Sequence, residues 1–299
     1  MRITGTTRVV GVLGYPVGHS LSPDMHNAAF DALDMDWCYV PFEVAPDRLE
    51  QSVRGLAALG VVGANLTIPH KRAAVAHLDE VRGDAAITGS VNTIHFDGDR
   101  LIGYSTDGDG FLGALAGLGV DPAGTEAVVL GAGGSAVAIV VALMRAGVAR
   151  ITVANRTPER AQALVELVGS QAGSGMTIAT APWDSESIGE ALEGANLLVN
   201  TTSVGMKGDP QQTLPVPAEA LRPDLAVYDI VYTPLETPLV RTALERGGRA
   251  LGGARMLVLQ GAISFRIWTG VDPPVEVMEN ALRAGLERAH AGEGESKKM

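Results

Sequence analysis

Short runs rich in valine and isoleucine alternate with longer segments rich in alanine and leucine along most of this chain. The short runs have the length of strands, and the longer segments have the spacing of apolar residues found in helices. This alternation is typical of βαβ units, in which consecutive strands lie parallel in one sheet and helices cover it. We therefore predict an α/β fold with two series of strands: 8–14, 37–43, 61–67, 91–96 and 100–104, then 126–131, 150–154, 175–180, 195–200 and 225–230.

A predicted helix over 107–118 and a loop rich in proline and glycine, residues 121–124, separate the two series. With 299 residues, the chain is long enough for two domains with separate cores. Beyond residue 248 the alternation stops, and two helices are predicted near 254–268 and 274–290. They have no strand of their own, so we expect them to pack on the first domain. The predicted domains are residues 1–106 with 253–299, and residues 107–252.

The charge and composition exclude several classes of function. The net charge of -11 disfavours nucleic acid and anionic membranes as partners. The longest apolar run, Ala136 to Met144, is far shorter than the roughly 20 residues that span a bilayer, and the first residues do not resemble a signal peptide. A single cysteine, Cys38, and the absence of an HExxH motif argue against a metal site. We expect a cytoplasmic protein without a metal.

A glycine-rich segment, Gly131-Ala132-Gly133-Gly134-Ser135-Ala136, lies between a predicted strand and an apolar helix. This is the setting of a dinucleotide fingerprint, in which Gly131 allows a tight turn and Gly133 lets the backbone approach a pyrophosphate. The small Ala136 permits close contact between helix and sheet, and the free N–H groups of the helix attract the anion. An ordinary turn between a strand and a helix remains the alternative.

The end of the next strand indicates which dinucleotide would bind. An NAD site usually has an acidic residue there, which binds the ribose hydroxyls. This chain has Asn155, Arg156 and Thr157, with Arg160 one helical turn later. A guanidinium group makes charge-assisted bonds to phosphate, so the sequence favours NADP, whose adenosine ribose carries a 2′-phosphate. The alternative is a helix cap followed by solvated arginines.

Small polar residues in the first half of the chain could bind a substrate. Asn65 and Thr67 are two residues apart on a predicted strand and point to the same side, and Lys71 follows the proline that ends the strand. Ser22 and Pro23 predict a helix with Ser22 as its N-cap, and its free N–H groups with the hydroxyls of Ser20 and Ser22 would suit a carboxylate. Alternatively, Lys71 is a solvated side chain and Ser22 only a cap.

Eight segments occur in the order found in shikimate dehydrogenases, and the resemblance covers about residues 9 to 285. The segments are HSLSP from His19, NLTIPHK from Asn65, SVNT from Ser90, TDGDGF from Thr106, GAGGSA from Gly131, NRT from Asn155, NTTSVGM from Asn200 and MLVLQGAISFRIWTG from Met256. The resemblance implies two α/β domains, a mostly parallel substrate domain and a Rossmann-like domain, with the active site in the cleft between them. It also implies reduction of 3-dehydroshikimate to shikimate with NADPH, by a monomer or homodimer.

The resemblance also implies roles for individual residues. Lys71 would be the catalytic lysine, with Asp107 as its partner. Substrate-binding residues would be Ser20 and Ser22 for the carboxylate, and Asn65, Thr67, Asn92, Asp107 and Gln260 for the ring hydroxyls, with Tyr232 nearby. Cofactor-binding residues would be Gly131, Ala132, Gly133, Gly134, Ser135, Ala136, Asn155, Arg156, Thr157, Arg160, Thr201, Ser203 and Met256.

Three departures from the family pattern and three alternatives remain. The departures are Ser105 where Asn is usual, Val137 where a basic residue is frequent, and Gly252-Gly253-Ala254 where Asn/Asp-Gly-Leu is common.

One alternative is an NAD-using quinate/shikimate dehydrogenase, against which Arg156 argues. Another is a metabolite sensor without activity, which should have lost Lys71 or Asp107. The third, glutamyl-tRNA reductase, needs a nucleophilic cysteine, and Cys38 lies in an apolar setting.

Overall fold

The computed structural model of the protein describes residues 2–171, 175–209 and 213–296. The chain divides into two compact units, Met1–Thr106 with Val258–Met299 and Asp107–Leu257. The sequence placed the second boundary between residues 252 and 253, at a glycine pair, whereas the division lies between Leu257 and Val258. Arg255 packs within the second unit, where its Nε lies 3.3 Å from the position of a Cβ on Gly117.

The described part of the first unit contains a six-stranded sheet of order β2-β1-β3-β5-β6-β4. The pairs β1–β2, β1–β3 and β4–β6 are parallel, and the pairs β3–β5 and β5–β6 are antiparallel. The sheet is therefore mostly parallel, as the sequence predicts. The strands are β1 (Arg8–Gly14), β2 (Trp37–Glu43), β3 (Gly63–Leu66), β4 (Glu80–Val81), β5 (Thr93–Asp97) and β6 (Arg100–Tyr104).

Helices cover this sheet and bury an apolar core that includes Leu13, Val53, Leu66 and Ile94. The helices within the first stretch of chain are α1 (Ser22–Ala32), α2 (Leu49–Ala58), α3 (His70–Ala73) and α4 (Asp84–Thr88), with 3-10 turns at Pro46–Arg48 and Ala74–His77.

The described part of the second unit contains a parallel six-stranded sheet of order β12-β11-β10-β7-β8-β9. Its strands are β7 (Glu126–Leu130), β8 (Arg150–Ala154), β9 (Thr177–Ala181), β10 (Leu197–Asn200), β11 (Ala226–Asp229) and β12 (Arg249–Leu251). This is the strand order of the dinucleotide-binding Rossmann fold, and its topological switch point lies between β7 and β10. The predicted α/β class is confirmed.

The central strands β7, β10 and β11 are buried except at Glu126, the first residue of β7, because helices cover both faces of a parallel sheet. The helices are α5 (Asp107–Gly117), α6 (Gly134–Arg145), α7 (Pro158–Gly169), α8 (Ser185–Glu193) and α9 (Pro238–Glu245), with a 3-10 turn at Ala218–Ala220. The last two helices are α10 (Ala254–Thr269) and α11 (Val275–Ser296). Trp268 of α10 donates a hydrogen bond of 2.9 Å to the carbonyl oxygen of Ile94, which supports the predicted return to the first unit.

Two strands were missed by the sequence analysis. Strand β4 is two residues long, and β12 is three residues long at the edge of its sheet. Strand β12 corrects the prediction that the alternation ends after residue 248. Its burial pattern, from exposed Arg249 to half-buried Leu251, lacks the apolar run that marks the other strands. Pairing with β11, rather than local sequence, defines it.

Gly253 follows β12 at a close approach between two backbone segments. Its N–H donates a hydrogen bond of 3.0 Å to the carbonyl oxygen of Val231, and a Cβ at this position would lie 2.0 Å from the carbonyl oxygen of Ile230. We expect Gly253→Ala to lower the free energy of unfolding by about 1–3 kcal/mol, the usual cost of overpacking. Chemical unfolding followed by circular dichroism measures the change.

Gly55→Ala is the matched control for this substitution. Gly55 lies inside α2, and no atom beyond its chain neighbours and the backbone of its own helix lies within 4 Å of the position of its Cβ. Alanine there should stabilise the protein by about 0.5–1 kcal/mol, because it loses less conformational freedom on folding. If Gly253→Ala were as stable as the wild type, the backbone approach would impose no requirement for glycine.

Among the described residues, no helix is both long enough and apolar enough to cross a membrane.

Candidate active site

Three residues predicted to bind the substrate lie close together in the first unit. Asn92 is 3% exposed, and its Oδ1 accepts a hydrogen bond of 2.8 Å from the backbone N–H of Thr106. Its Nδ2 donates to Thr106 Oγ1 at 2.9 Å and to Gln260 Oε1 at 3.2 Å. The Nδ2 of Asn65 donates to the carbonyl oxygen of Asn92 at 3.1 Å. Asn65, Asn92 and Gln260 therefore form one polar cluster, built from β3, the start of β5 and α10.

The amide of Asn65 has further partners inside the protein, as the amide of Asn92 does. Besides the carbonyl oxygen of Asn92, two hydroxyl oxygens lie within reach of Nδ2, Thr93 Oγ1 at 3.1 Å and Ser264 Oγ at 3.0 Å. Its Oδ1 accepts a hydrogen bond of 2.8 Å from the hydroxyl of Tyr39. Asn65 and Asn92 therefore belong to one hydrogen-bonded network of the first unit.

Lys71 lies on the four-residue helix α3 just after β3, and its side chain is half-buried. The buried His70 fixes this turn, since its Nε2 donates to the carbonyl oxygen of Val44 at 2.8 Å. The backbone oxygen of Lys71 accepts a hydrogen bond of 2.8 Å from the N–H of Val91. Thr67 is half-buried, and its N–H is bonded to the carbonyl oxygen of Leu13 at 3.0 Å. Hydrogen bonds to other parts of the first unit therefore fix the backbone around Lys71.

The segment with Ser20 and Ser22 corrects the prediction that Ser22 is the N-cap of a helix. Helix α1 begins at Ser22 itself, and Leu21 occupies the N-cap position without a capping side chain. Ser22 is therefore the first helical residue, and its N–H lies 3.3 Å from the hydroxyl oxygen of Ser20. Burial raises the pKa of Tyr39, and interaction of its hydroxyl with the Ser22 side chain opposes that rise. The Ser22 side chain thus approaches Tyr39 rather than capping its own helix.

Asp107 is the first residue of α5 in the second unit and is 7% exposed. A carboxylate at this position is favoured by the helix dipole. Two other predicted residues belong to the second unit. Met256 is 8% exposed, and burial raises the pKa of the half-buried Tyr232.

The glycine loop follows β7 at the switch point of the second sheet. Gly131 has a φ of 108°, and a Cβ there would lie 2.5 Å from the hydroxyl oxygen of Thr201. That hydroxyl donates to the carbonyl oxygen of Leu130 at 2.7 Å. In contrast, no atom lies within 4 Å of a Cβ on Gly133 or Gly134, where α6 begins. The loop is therefore closed towards β10 and open above the helix N-terminus, which suits a pyrophosphate.

The end of β8 has the features expected around a 2′-phosphate. Arg156, Thr157 and Arg160 are exposed, and Asn155 Nδ2 donates to the carbonyl oxygen of Thr157 at 2.8 Å. Thr157 is the N-cap residue of α7, yet its side chain makes no capping hydrogen bond. Ser203, by contrast, donates to Asp209 Oδ2 at 2.6 Å. The end of β8 thus combines two exposed arginines with a helix N-terminus that has no capping side chain.

A buried polar network after β10 and β11 was missed by the sequence analysis. Asp229 is 1% exposed and accepts hydrogen bonds from Asn200 Nδ2 at 2.8 Å, from the N–H of Val231 at 3.0 Å and from Thr237 Oγ1 at 2.7 Å. Asn200 Oδ1 also accepts a hydrogen bond of 3.0 Å from the N–H of Thr202. The network holds the segment that contains Thr201 and Ser203. The sequence signal for this network was Asp229, a carboxylate at the end of an otherwise apolar strand.

Burial raises the pKa of Asp229 to about 6, against the lowering effect of its three hydrogen bonds. Because the folded state holds this proton more tightly than the unfolded state, the stability contributed by protonated Asp229 is present at low pH and is lost as the pH rises from about 4 to about 6. We expect a loss on the order of 2–3 kcal/mol across this interval in wild type. Asp229→Asn should remove this loss of stability with rising pH.

Urea unfolding of both proteins at pH 4, 5, 6 and 7 measures this effect. The difference between wild type and Asp229→Asn isolates the contribution of Asp229 from that of the other titrating groups. Asp224→Asn, at an exposed position of the same unit, is the control. Parallel stability curves for wild type and Asp229→Asn would show that Asp229 does not titrate in this interval.

Among the described residues, no three His, Cys, Asp or Glu side chains cluster in a way that could hold a metal ion.

Three family models match the chain. The model described as "Shikimate dehydrogenase substrate binding domain" matches residues 12–94, "Shikimate / quinate 5-dehydrogenase" matches residues 116–203, and "Shikimate 5'-dehydrogenase C-terminal domain" matches residues 253–283. A shikimate dehydrogenase (NADP(+)) from Geobacter metallireducens is 47% identical to the chain and covers 96% of it, with 100% of the relative covered.

Two solved structures of shikimate 5-dehydrogenases are similar to this chain over nearly its whole length. The crystal structure of shikimate 5-dehydrogenase from Thermus thermophilus in complex with NADP(H) and shikimate has a TM-score of 0.83 and 40% identity, covering 93% of this chain and 99% of that one. Shikimate 5-dehydrogenase from Listeria monocytogenes, in complex with shikimate and NAD, has a TM-score of 0.89 and 36% identity, covering 94% of this chain and 98% of that one.

Proposed function

Because this chain belongs to the shikimate dehydrogenase family, we propose that it catalyses the reversible, NADP-dependent reduction of 3-dehydroshikimate to shikimate. The observation that carries the proposal is the polar cluster of Asn92 and Gln260 in the first unit. Neutral amide groups at strand and helix positions can both donate to and accept from the hydroxyls of a sugar-like ring. A lysine on the turn after β3 adds the acid that a ketone reduction requires.

Most of the substrate groups belong to the first unit. Ser20 and Ser22 bind the carboxylate, supported by the N-terminus of α1. Asn65, Thr67, Asn92 and Gln260 bind ring hydroxyls, and Asp107 and Tyr232 are assigned to the substrate as well. Asp107 is assigned, with Lys71, to catalysis.

NADPH, when bound, supplies the hydride to the ketone carbon of the substrate. Negative charge then develops on the carbonyl oxygen, and Lys71 Nζ donates its proton to that oxygen, which becomes the hydroxyl of shikimate. In the opposite direction, neutral Lys71 accepts the proton.

The cofactor groups belong to the second unit. Gly133, Gly134 and the first turn of α6 bind the pyrophosphate, and Arg156, aided by Thr157 and Arg160, binds the 2′-phosphate. The remaining groups assigned to this site are Gly131, Ala132, Ser135, Ala136, Asn155, Thr201, Ser203 and Met256. The chemistry requires no nucleic acid or membrane, and we place it in the cytoplasm, in a monomer or a homodimer.

A quinate/shikimate dehydrogenase that uses NAD is the second candidate, since a relative that binds shikimate has been crystallised with NAD. Exposed Arg156 at the end of β8 favours NADP, because an acidic residue would be expected there in an NAD enzyme. Quinate has an additional hydroxyl on the carbon that bears the carboxylate. Two serines at the carboxylate position leave little room for that hydroxyl.

A spectrophotometric assay of purified protein tests the proposal. Shikimate and quinate are each supplied with NADP and with NAD, and kcat/KM is measured for the four pairs. We expect shikimate with NADP to have the highest value. A higher value for any pair that contains NAD would favour the second candidate, and no turnover of either substrate would contradict both.

A further inference from the structure

We infer that Asn200 and Asp229 are positioning residues for the cofactor, because together they hold residues 201–204 in place beside the glycine loop. The inference rests on the proposed function and deepens its cofactor site. Asn200 is 0% exposed and Asp229 is 1% exposed. Their effect on NADP is exerted through Thr201 and Ser203, which are assigned to the cofactor.

Asn200 ends β10 at the switch point of the second sheet. In the register of the sheet it pairs on one side with Leu130, the last residue of β7, and on the other with Asp229, the last residue of β11. The glycine loop follows Leu130 directly. Because dinucleotides bind at the carboxyl ends of the strands at a switch point, the segment that leaves Asn200 lies beside the position expected for the pyrophosphate.

The side chain of Asn200 shapes the turn after β10. Its Oδ1 accepts hydrogen bonds from the N–H of Thr202 at 3.0 Å and from Thr202 Oγ1 at 2.7 Å. Its Nδ2 donates to the carbonyl oxygen of Val204 at 3.3 Å. An asparagine side chain that bonds to the backbone two residues later stabilises a turn. Asn200 thereby sets the path of residues 201–204.

Thr201 is the point at which this turn meets the glycine loop. Its hydroxyl donates to the carbonyl oxygen of Leu130 at 2.7 Å, and a Cβ on Gly131 would lie 2.5 Å from the same hydroxyl oxygen. Because the two segments lie this close, a change in the path of residues 201–204 would displace either the Thr201 hydroxyl or the turn at Gly131. Either displacement would reach groups assigned to NADP.

Asp229 fixes the orientation of the Asn200 amide. Its Oδ1 accepts from Asn200 Nδ2 at 2.8 Å and from the N–H of Val231 at 3.0 Å, and its Oδ2 accepts from Thr237 Oγ1 at 2.7 Å. If the amide were reversed, its oxygen would face the carboxylate and its NH2 group would face the N–H of Thr202. Because Thr237 is the N-cap of α9, Asp229 joins the turn after β10 to that helix.

Asn200→Asp tests the inference, because it keeps the size of the side chain and its acceptor for Thr202 but replaces the donor to Asp229 by oxygen. We expect Kd and KM for NADP to rise roughly tenfold, since two carboxylates would face each other and the turn would shift. KM for shikimate should stay within about threefold, since the bond from Val231 to Asp229, next to Tyr232, is kept. Isothermal titration calorimetry measures Kd without turnover.

The backbone bonds at the strand ends do not depend on the Asn200 side chain. The N–H of Thr201 donates to the carbonyl oxygen of Leu130 at 2.8 Å, and the N–H of Ile230 donates to that of Asn200 at 3.0 Å. Thr237→Val is a milder variant, which removes a donor to Asp229 and keeps the shape of the side chain. It should raise Kd for NADP about threefold, and it provides the test if Asn200→Asp does not fold.

Asp229→Asn separates the link between the two side chains from their charge. On its own it keeps an oxygen that accepts from Asn200, so Kd for NADP should stay within about threefold of wild type. Added to Asn200→Asp, it removes one of the two facing carboxylates and supplies an amide that can donate to the other. The double variant should bind NADP at least about threefold more tightly than Asn200→Asp. Equal or weaker binding by the double variant would overturn the pairing.

Asp184→Ala is the matched control for a loss of stability alone. Asp184 is the N-cap of α8 in the same unit, and its Oδ1 accepts from the N–H of Ser187 at 2.8 Å. Removing the cap lowers stability, which thermal unfolding without cofactor measures for every variant, but Kd for NADP should stay within about twofold of wild type. The positioning role would be overturned if Asn200→Asp and Thr237→Val also kept Kd within that range, or if Asp184→Ala weakened NADP binding as much as they do.

Wild-type turnover of shikimate and quinate, each with NADP and with NAD, tests the proposed function separately. Binding by the variants is measured with whichever cofactor the wild type binds more tightly. If the wild type bound this cofactor but turned over neither substrate, the proposed function would fail, and the Kd values would still decide the role of Asn200 and Asp229.

Discussion

Lys71→Ala should lower kcat by roughly 10²–10⁴-fold, the usual cost of losing a general acid. The structure supports this expectation because Lys71 is half-buried on a turn that His70 and Val91 hold in place. Without the ammonium group, the developing charge on the substrate oxygen has no proton donor. KM for shikimate should change much less than kcat. Steady-state kinetics in both directions, with saturating NADP or NADPH, measure both constants.

Arg72→Ala is the control for this prediction, since Arg72 is the next residue on the same short helix and is exposed. It should keep kcat within about twofold of wild type, as expected for a surface substitution. If Lys71→Ala retained more than half of the wild-type kcat, Lys71 would not be the proton donor. A loss that appears only in KM would instead make Lys71 a binding residue.

Arg156→Asp should raise KM for NADP by roughly 10–150-fold, which corresponds to the loss of a charge-assisted hydrogen bond. The substitution also places a carboxylate near the 2′-phosphate, which adds repulsion. KM for NAD should change little or improve, because NAD has a free 2′-hydroxyl that can donate a hydrogen bond to a carboxylate. The ratio of the two KM values, measured at fixed shikimate concentration, is the decisive quantity.

Arg150→Asp makes the same change of charge at the other end of the same strand. Arg150 is exposed at the first position of β8 and pairs with Glu126 at 3.5 Å. It should leave the ratio of KM values for NADP and NAD unchanged, because its position is remote from the carboxyl end of the strand, where dinucleotides bind. Equal losses for both cofactors in Arg156→Asp would show that Arg156 has a structural role only.

The sequence by itself determined the elements whose residues are defined by local patterns. Strands such as β7 are continuous apolar runs, and the glycine loop and Arg156 lie at fixed places after them. Because a parallel sheet buries its strands on both faces, such runs identify the α/β class without any knowledge of partners. Strand β12 lacks such an apolar run, and it was therefore missed. Its three residues form a strand only by pairing with β11.

Only the tertiary structure decided which partners the polar side chains have. Ser264, 199 residues away in the sequence, accepts from the amide of Asn65, and Gln260 accepts from the amide of Asn92. Ser22 likewise satisfies the pattern of an N-cap, but the helix begins at Ser22 and its side chain approaches Tyr39. Hydrogen-bond donors and acceptors are satisfied by whichever groups the fold brings within about 3 Å, and sequence spacing does not contain those distances.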